Sequence, residues 1–167
     1  MINVTLALLI FTYPWPIRPF YNAHPVSATL GDARGHAANP RFHRGIDIPA
    51  DSGTLVYSIA SDSAIVGGYG RNRYVQVKNY RYVHIRPFVH HGDDVIGILD
   101  TINTPPTVIG EVLDYPPQGP QGDHLHFQIG PPDGPFYNPL SYNGGLDNYD
   151  DNAPPVVWGS TYEHWWF

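Results

Sequence analysis

Glycine and proline interrupt this chain so often that few helices are expected in it. The 167 residues include 17 glycines and 18 prolines, and no stretch keeps a sustained helical period. Aromatic residues make up 14% of the chain and charged residues only 14%, which is more typical of a β protein than of a helix bundle. The sequence therefore predicts an all-β fold of short strands joined by turns.

Seven short runs between these turn residues have strand-like composition. Each run is rich in apolar or β-branched side chains and is bounded by Gly, Pro, Asn or Asp. Their close spacing predicts antiparallel sheets stacked as a sandwich, with long loops and little helix. The stretch 104–122 is rich in proline and glycine and is predicted to be an irregular loop that delivers His124. The predicted strands are 54–60, 63–66, 74–78, 81–85, 94–99, 107–109 and 124–129.

The length leaves room for one domain and one core, with a short segment at either end. Residues 25–144 are the predicted domain. Residues 1–24 are an N-terminal segment, whose apolar run at 4–11 is either a signal-peptide core or a buried first strand. Residues 145–167 become acidic, proline-rich and then aromatic, which predicts a linker or the start of a truncated further β domain. We expect a monomer, or one part of a longer multidomain chain.

Charge and cysteine content exclude several classes of function. A net charge of -6 and a pI of about 5.7 provide no basic surface for nucleic acid. The apolar run at 4–11 is too short to cross a bilayer, so no integral membrane segment is expected. The chain has no cysteine, which excludes disulfides, zinc ribbons and cysteine nucleophiles. Any metal must therefore be held by His, Asp, Glu or Asn.

Three fragments, spread over more than eighty residues, offer the side chains of one metal site. Together they provide two imidazoles and a carboxylate for a metal, and two further imidazoles for proton transfer. A hydrolytic zinc enzyme needs such a set, because three protein ligands leave a fourth position open for water. The fragments are His43-Arg-Gly-Ile-Asp47, Tyr82-Val-His84 and His124-Leu-His126.

The sequence around each fragment indicates how its side chains point. Residues two apart in a strand share a face, so one of His124 and His126 can bind a metal while the other faces a substrate. Gly45 and a following proline argue against a helix between His43 and Asp47, and favour a turn into a strand. Each fragment alone is more often a group of solvated residues. The coincidence of all three in one chain favours a site.

The order H-x-G-[apolar]-D, then Y-x-H, then H-L-H-F resembles the lysostaphin/LytM-type zinc endopeptidases, which cut peptide bridges of bacterial peptidoglycan. The similarity covers residues 25–140, most of the chain. Two positions depart from the family pattern: Asp123 stands where proline is usual, and Gln128 stands where glutamate is common. Further matching stretches are 27–32, 46–50, 53–56 and 92–95.

The resemblance implies one zinc ion held by His43, Asp47 and His126 in an open groove, with water in the fourth position. His84 and His124 would then be the catalytic pair, one acting as general base and the other donating to the oxyanion or the leaving amine. The implied function is a zinc metalloendopeptidase acting on peptidoglycan peptides outside the cytoplasm, as a secreted, periplasmic or cell-envelope protein. The alternative is a non-catalytic wall-binding or amidase-activating module on the same fold, in which the metal ligands are usually lost.

Overall fold

The chain is almost entirely β over the residues that the computed structural model describes, which are 13–36, 39–101, 104–114, 122–140 and 149–150. These residues include no α-helix, only two short 3-10 turns at Gly70–Asn72 and Ile98–Asp100. The predicted all-β class with little helix is therefore confirmed. The strands are β1 His24–Pro25, β2 Ala33–His36, β3 Asn39–Phe42, β4 Ile46–Pro49, β5 Leu55–Tyr57, β6 Asp62–Gly67, β7 Tyr74–Val77, β8 Tyr80–Val83, β9 Ile85–Pro87, β10 Asp94–Val95, β11 Val108–Val112, β12 His124–Ile129 and β13 Tyr149–Asp150.

Most strands belong to two antiparallel sheets. The larger sheet has six strands in the order β10-β6-β7-β8-β12-β4, and the smaller has three in the order β5-β11-β9. Strands β2 and β3 form a separate hairpin, and β1 pairs in parallel with β13. The predicted antiparallel sheets are confirmed, and the short parallel pair is an addition to them.

The core is one cluster of buried side chains drawn from both sheets. Ile46 and Leu125 contribute from the larger sheet, and Val56 and Ile109 contribute from the smaller one. Residues 13–24 add Trp15 and other apolar side chains to the same cluster. The apolar run at 4–11 and the residues after Asp150 lie outside the described residues. No helix in the described ranges is long and apolar enough to cross a membrane.

Tyr82 connects the larger sheet to the segment between β5 and β6 through a hydrogen bond. Its side chain is fully buried beside Phe127, with the ring centroids 5.4 Å apart. The backbone amide of Ile59 donates to Tyr82 Oη at 2.8 Å. Burial raises the pKa of the Tyr82 hydroxyl above its usual value, although the hydrogen bond with Ile59 opposes this change. The tyrosine of the Y-x-H fragment is thus a protonated core residue.

The strand predicted at 94–99 is mostly wrong. Only Asp94–Val95 is a strand, and the chain then turns into the 3-10 turn at Ile98–Asp100. The reason is close packing at Gly97, where a Cβ atom would lie 2.3 Å from the Ala60 carbonyl carbon. The amide of Ile98 donates to the carbonyl of Ser58, so this segment follows residues 58–60 instead of extending the larger sheet.

Three further boundaries differ from the prediction, the first being that the run at 54–60 is a strand only over Leu55–Tyr57. The run at 81–85 is not one strand, because His84 has a φ of 64° and separates β8 from β9. The left-handed region is sterically costly for residues with a Cβ, and it ends an extended strand. In the stretch predicted as an irregular loop, strand β11 continues to Val112, and residues 115–121 lie outside the described part of the chain.

Candidate metal centre

Three buried side chains bring their potential ligand atoms together at the β4–β12 pair. His43 Nε2 lies 3.0 Å from Asp47 Oδ1 and 2.8 Å from His126 Nδ1. His126 Nδ1 in turn lies 2.9 Å from Asp47 Oδ1. The cause is strand register, since His126 is directly opposite Asp47 and His43 lies just before β4. The structure therefore brings together the three residues that the resemblance implied as metal ligands.

Gly45 permits this arrangement for a steric reason. A Cβ atom at this position would lie 2.2 Å from the carbonyl oxygen of Phe127, because the chain enters β4 directly against β12. The predicted turn into a strand between His43 and Asp47 is observed, with the strand beginning at Ile46. Glycine is needed here for close approach of two backbones, and its φ is not in the left-handed region.

Hydrogen bonds outside the triad orient both of its imidazoles. His43 Nδ1 lies 2.8 Å from the carbonyl oxygen of Thr29. A carbonyl can only accept, so Nδ1 donates, and Nε2 is left to face the other two ligand atoms. The Gln128 side chain hydrogen-bonds the ring of His126. Gln128 thus contacts a candidate ligand from the position where glutamate is common, while its own buried Nε2 has no hydrogen-bond partner among the described residues.

The electrostatics of the triad suit a cation. Burial alone would raise the pKa of Asp47, but its hydrogen bonds with His126 and His43 hold that pKa well below its usual range. Burial lowers the pKa of His126, although the hydrogen bond to Asp47 opposes the change. At neutral pH the Asp47 carboxylate and the neutral His126 imidazole therefore face one point, beside Nε2 of His43. Two nitrogens and one oxygen at this spacing match the ligand chemistry of zinc.

His84 and His124 lie beside the triad. Their rings meet edge to face with the centroids 4.8 Å apart, and the His84 ring lies 6.0 Å from that of His126. His124 Nε2 is 3.8 Å from Asp47 Oδ1. All five residues named from the sequence therefore belong to one cluster.

The two additional rings share one tautomer. His84 Nδ1 donates to the carbonyl oxygen of Arg71 at 2.7 Å, and His124 Nδ1 donates to that of Gly122 at 2.9 Å. In each neutral ring, Nε2 is then the nitrogen that can accept a proton. Burial lowers the pKa of His84 to about 4, with the hydrogen bond to Arg71 opposing the shift. At neutral pH, His84 is thus a neutral imidazole held in one orientation.

Two polar residues near the site have roles that sequence patterns did not indicate. Arg34 in β2 places Nη2 at 2.9 Å from Asp47 Oδ2, the carboxylate oxygen that does not face the imidazoles. Asp123, the departure before the H-L-H-F motif, accepts from the backbone amide of Ser52 at 3.2 Å and thereby fixes the loop after β4. Arg34 belongs to none of the three sequence fragments. The sequence feature that could have pointed to it is its position shortly before His43.

Solved structures of M23 peptidases resemble this chain in fold. The catalytic domain of the prophage-encoded M23 protein EnpA from Enterococcus faecalis aligns with a TM-score of 0.52 and 22% identity, over 74% of this chain and 98% of that one. A zinc containing peptidase from Vibrio cholerae aligns with a TM-score of 0.50 and 21% identity, over 69% of this chain and 35% of that one. No protein-family model and no curated protein matches the sequence. The chain has the fold of these peptidases, which confirms the predicted resemblance at the level of fold.

Proposed function

We propose that this chain, which has the M23 peptidase fold, is a zinc metalloendopeptidase that hydrolyses peptide cross-links or stems of bacterial peptidoglycan outside the cytoplasm. The observation that carries the proposal is the triangle of His43 Nε2, Asp47 Oδ1 and His126 Nδ1, with edges of 2.8 to 3.0 Å. Similarity in fold to a zinc containing peptidase supports the choice of metal. The motif order supports the choice of substrate.

His43, Asp47 and His126 would hold the zinc ion and leave a further position for water. When bound there, zinc would lower the pKa of that water toward ~7 and polarise the scissile carbonyl group. The protein supports this chemistry by fixing both imidazole ligands from outside, through the Thr29 carbonyl on His43 and through Gln128 on His126.

His84 and His124 would move the protons of the reaction. Each ring has Nδ1 tied to a backbone carbonyl, so each offers Nε2 for transfer. One ring in its neutral form accepts the proton of the attacking water, while the other, once protonated, donates to the developing oxyanion or to the leaving amine. The lowered pKa of His84 favours its neutral form at physiological pH. We assign these two tasks to the pair jointly.

Mass spectrometry of purified peptidoglycan fragments tests this function. The fragments are incubated with the protein as purified, after chelation, and after addition of zinc. We expect new peptide termini that disappear on chelation and return with zinc, and their masses would identify the bond. A His43→Ala variant serves as the matched protein without a complete ligand set. If zinc-loaded protein leaves several wall chemistries intact, the non-catalytic wall-binding or amidase-activating function replaces this proposal.

A further inference from the structure

Asp47 uses its two carboxylate oxygens for different partners. Oδ1 faces His43 and His126 at 3.0 and 2.9 Å. Oδ2 accepts a charge-assisted hydrogen bond from Arg34 Nη2 at 2.9 Å. The Asp47 side chain is only 4% exposed and that of Arg34 is 24% exposed, so water screens this ion pair poorly. The carboxylate thus has one oxygen facing the ligand triangle and one facing a cation.

The β2–β3 hairpin holds Arg34 in this position. Arg34 lies directly opposite Arg41 across the hairpin, and two like charges opposite each other in a ladder destabilise it. Pairing with Asp47 offsets that cost at one of the two arginines, while Arg41 is exposed. The next residue after β3 is His43. The hairpin therefore supplies the cation that pairs with Asp47, and the residue directly after it is a candidate ligand.

We propose that Arg34 is a positioning residue that restricts Asp47 to one-oxygen coordination of the metal. A carboxylate can bind a metal through one or both oxygens, and occupation of Oδ2 by a guanidinium leaves Oδ1 for the metal. Arginine suits this task because its guanidinium remains charged at all relevant pH values and holds a planar orientation. The fixed carboxylate keeps a low coordination number, which leaves room for water. This inference rests on the proposed zinc site.

Metal binding tests the inference without any assay of activity. Zinc affinity is measured by competition with a chromophoric chelator, and the visible spectrum of the cobalt(II)-substituted protein reports coordination number. In Arg34→Gln we expect a 10- to 100-fold loss of zinc affinity, as is usual when a residue supporting a ligand is removed. We also expect weaker cobalt absorption, because a two-oxygen carboxylate raises the coordination number above four. Arg34→Lys keeps the charge but not the planar fork, and should lie between Arg34→Gln and wild type.

Arg41→Gln is the matched control, because it removes a cation from the facing position of the same hairpin without touching Asp47. It should bind zinc and cobalt like the wild type. Unchanged or tighter zinc affinity in Arg34→Gln, together with an unchanged cobalt spectrum, would overturn the inference. If Arg34→Gln does not fold, Arg34→Lys is compared with the wild type instead. Wild-type zinc affinity and a wild-type cobalt spectrum in Arg34→Lys would then overturn the inference. Failure of wild-type protein to bind zinc would instead defeat the proposed function itself.

Discussion

The ring of His84 meets the ring of His124 edge to face, with the centroids 4.8 Å apart, although forty residues separate them in the sequence. His84 follows β8 and His124 begins β12, and these strands are neighbours in the larger sheet. Backbone carbonyls hold the Nδ1 atoms of both rings. Neither ring depends on a candidate metal ligand for the hydrogen bond at its Nδ1, so substitutions can separate the two sets.

His126→Ala and His124→Ala should have different effects on the metal. His126→Ala removes one corner of the ligand triangle, so it should lose zinc as well as turnover. His124→Ala leaves the triangle intact, so it should retain zinc and lose about 10²- to 10⁴-fold in turnover, the usual contribution of a positioned acid or base. Zinc content by atomic emission and hydrolysis of wall peptides measure the two effects. Unchanged activity in His124→Ala would refute its catalytic assignment.

Stability of the chelated protein should fall as the pH is lowered from about 6.5 to about 4. The folded-state pKa of His84 is about 4, below its ordinary value of 6.5, so the unfolded chain binds a proton in this window that the folded chain does not. The expected loss is about 3 kcal/mol. Urea denaturation across this pH range measures it.

His84→Asn is the informative control for this pH dependence. Asparagine tolerates the left-handed conformation found at residue 84 but does not titrate. The variant should show a shallower slope of unfolding free energy against pH. A residual slope is expected from His126, whose pKa burial also lowers. A slope equal to that of the wild type would contradict the role given to His84.

Gly45→Ala should weaken zinc binding as well as stability. The added methyl group would lie 2.2 Å from the Phe127 carbonyl oxygen, so β4 must move away from β12 and separate the ligand atoms. A loss of about 1–3 kcal/mol in unfolding free energy is typical of such overpacking. Gly53→Ala is the control, since its Cβ meets no atom within 4 Å and only its φ of 87° is unfavourable. Normal zinc affinity in Gly45→Ala would show that zinc binding does not depend on the close approach of β4 and β12.

Tyr82→Phe should destabilise the protein and leave zinc affinity unchanged. The substitution leaves the buried amide of Ile59 without its partner, which costs about 1–3 kcal/mol. Tyr69→Phe is the control, because the Tyr69 side chain is 86% exposed and should tolerate the change. Denaturant unfolding compares the two variants. Loss of zinc from a folded Tyr82→Phe protein would indicate that Tyr82 acts on the site and not only in the core.

The sequence predicted the side chains of the site better than the groups that hydrogen-bond to those side chains and orient them. The alternation in H-L-H-F places His124 and His126 on one face of β12, and this short-range rule needs no knowledge of the fold. The carbonyl groups that orient the imidazoles leave no such pattern, because any residue type at positions 29, 71 or 122 supplies the same backbone oxygen. The contact of Arg34 with Asp47 likewise depends on how a hairpin folds over β4, which no local periodicity encodes.

Strand boundaries were wrong where packing or backbone conformation overrides composition. The apolar run after Asp94 has strand-like residues, yet Gly97 packs against the Ala60 backbone and the chain turns away. His84 occupies a left-handed conformation in the middle of a strand-like run. Such conformations cluster at functional sites, where surrounding contacts offset a local cost of about 1–3 kcal/mol. The strand prediction was therefore wrong at a residue, His84, that the proposed reaction requires.

The opposition of His126 and Asp47 across β4 and β12 makes the candidate metal site dependent on completed folding. These residues are 79 positions apart in the chain, and His43 and His126 are 83 apart. A slip of β12 by one residue would turn both histidines of H-L-H toward the core and Leu125 toward the site. A newly synthesised chain, still extended, has no assembled site. A hydrolase of the proposed kind would thus be inactive until its strands have paired in the correct register.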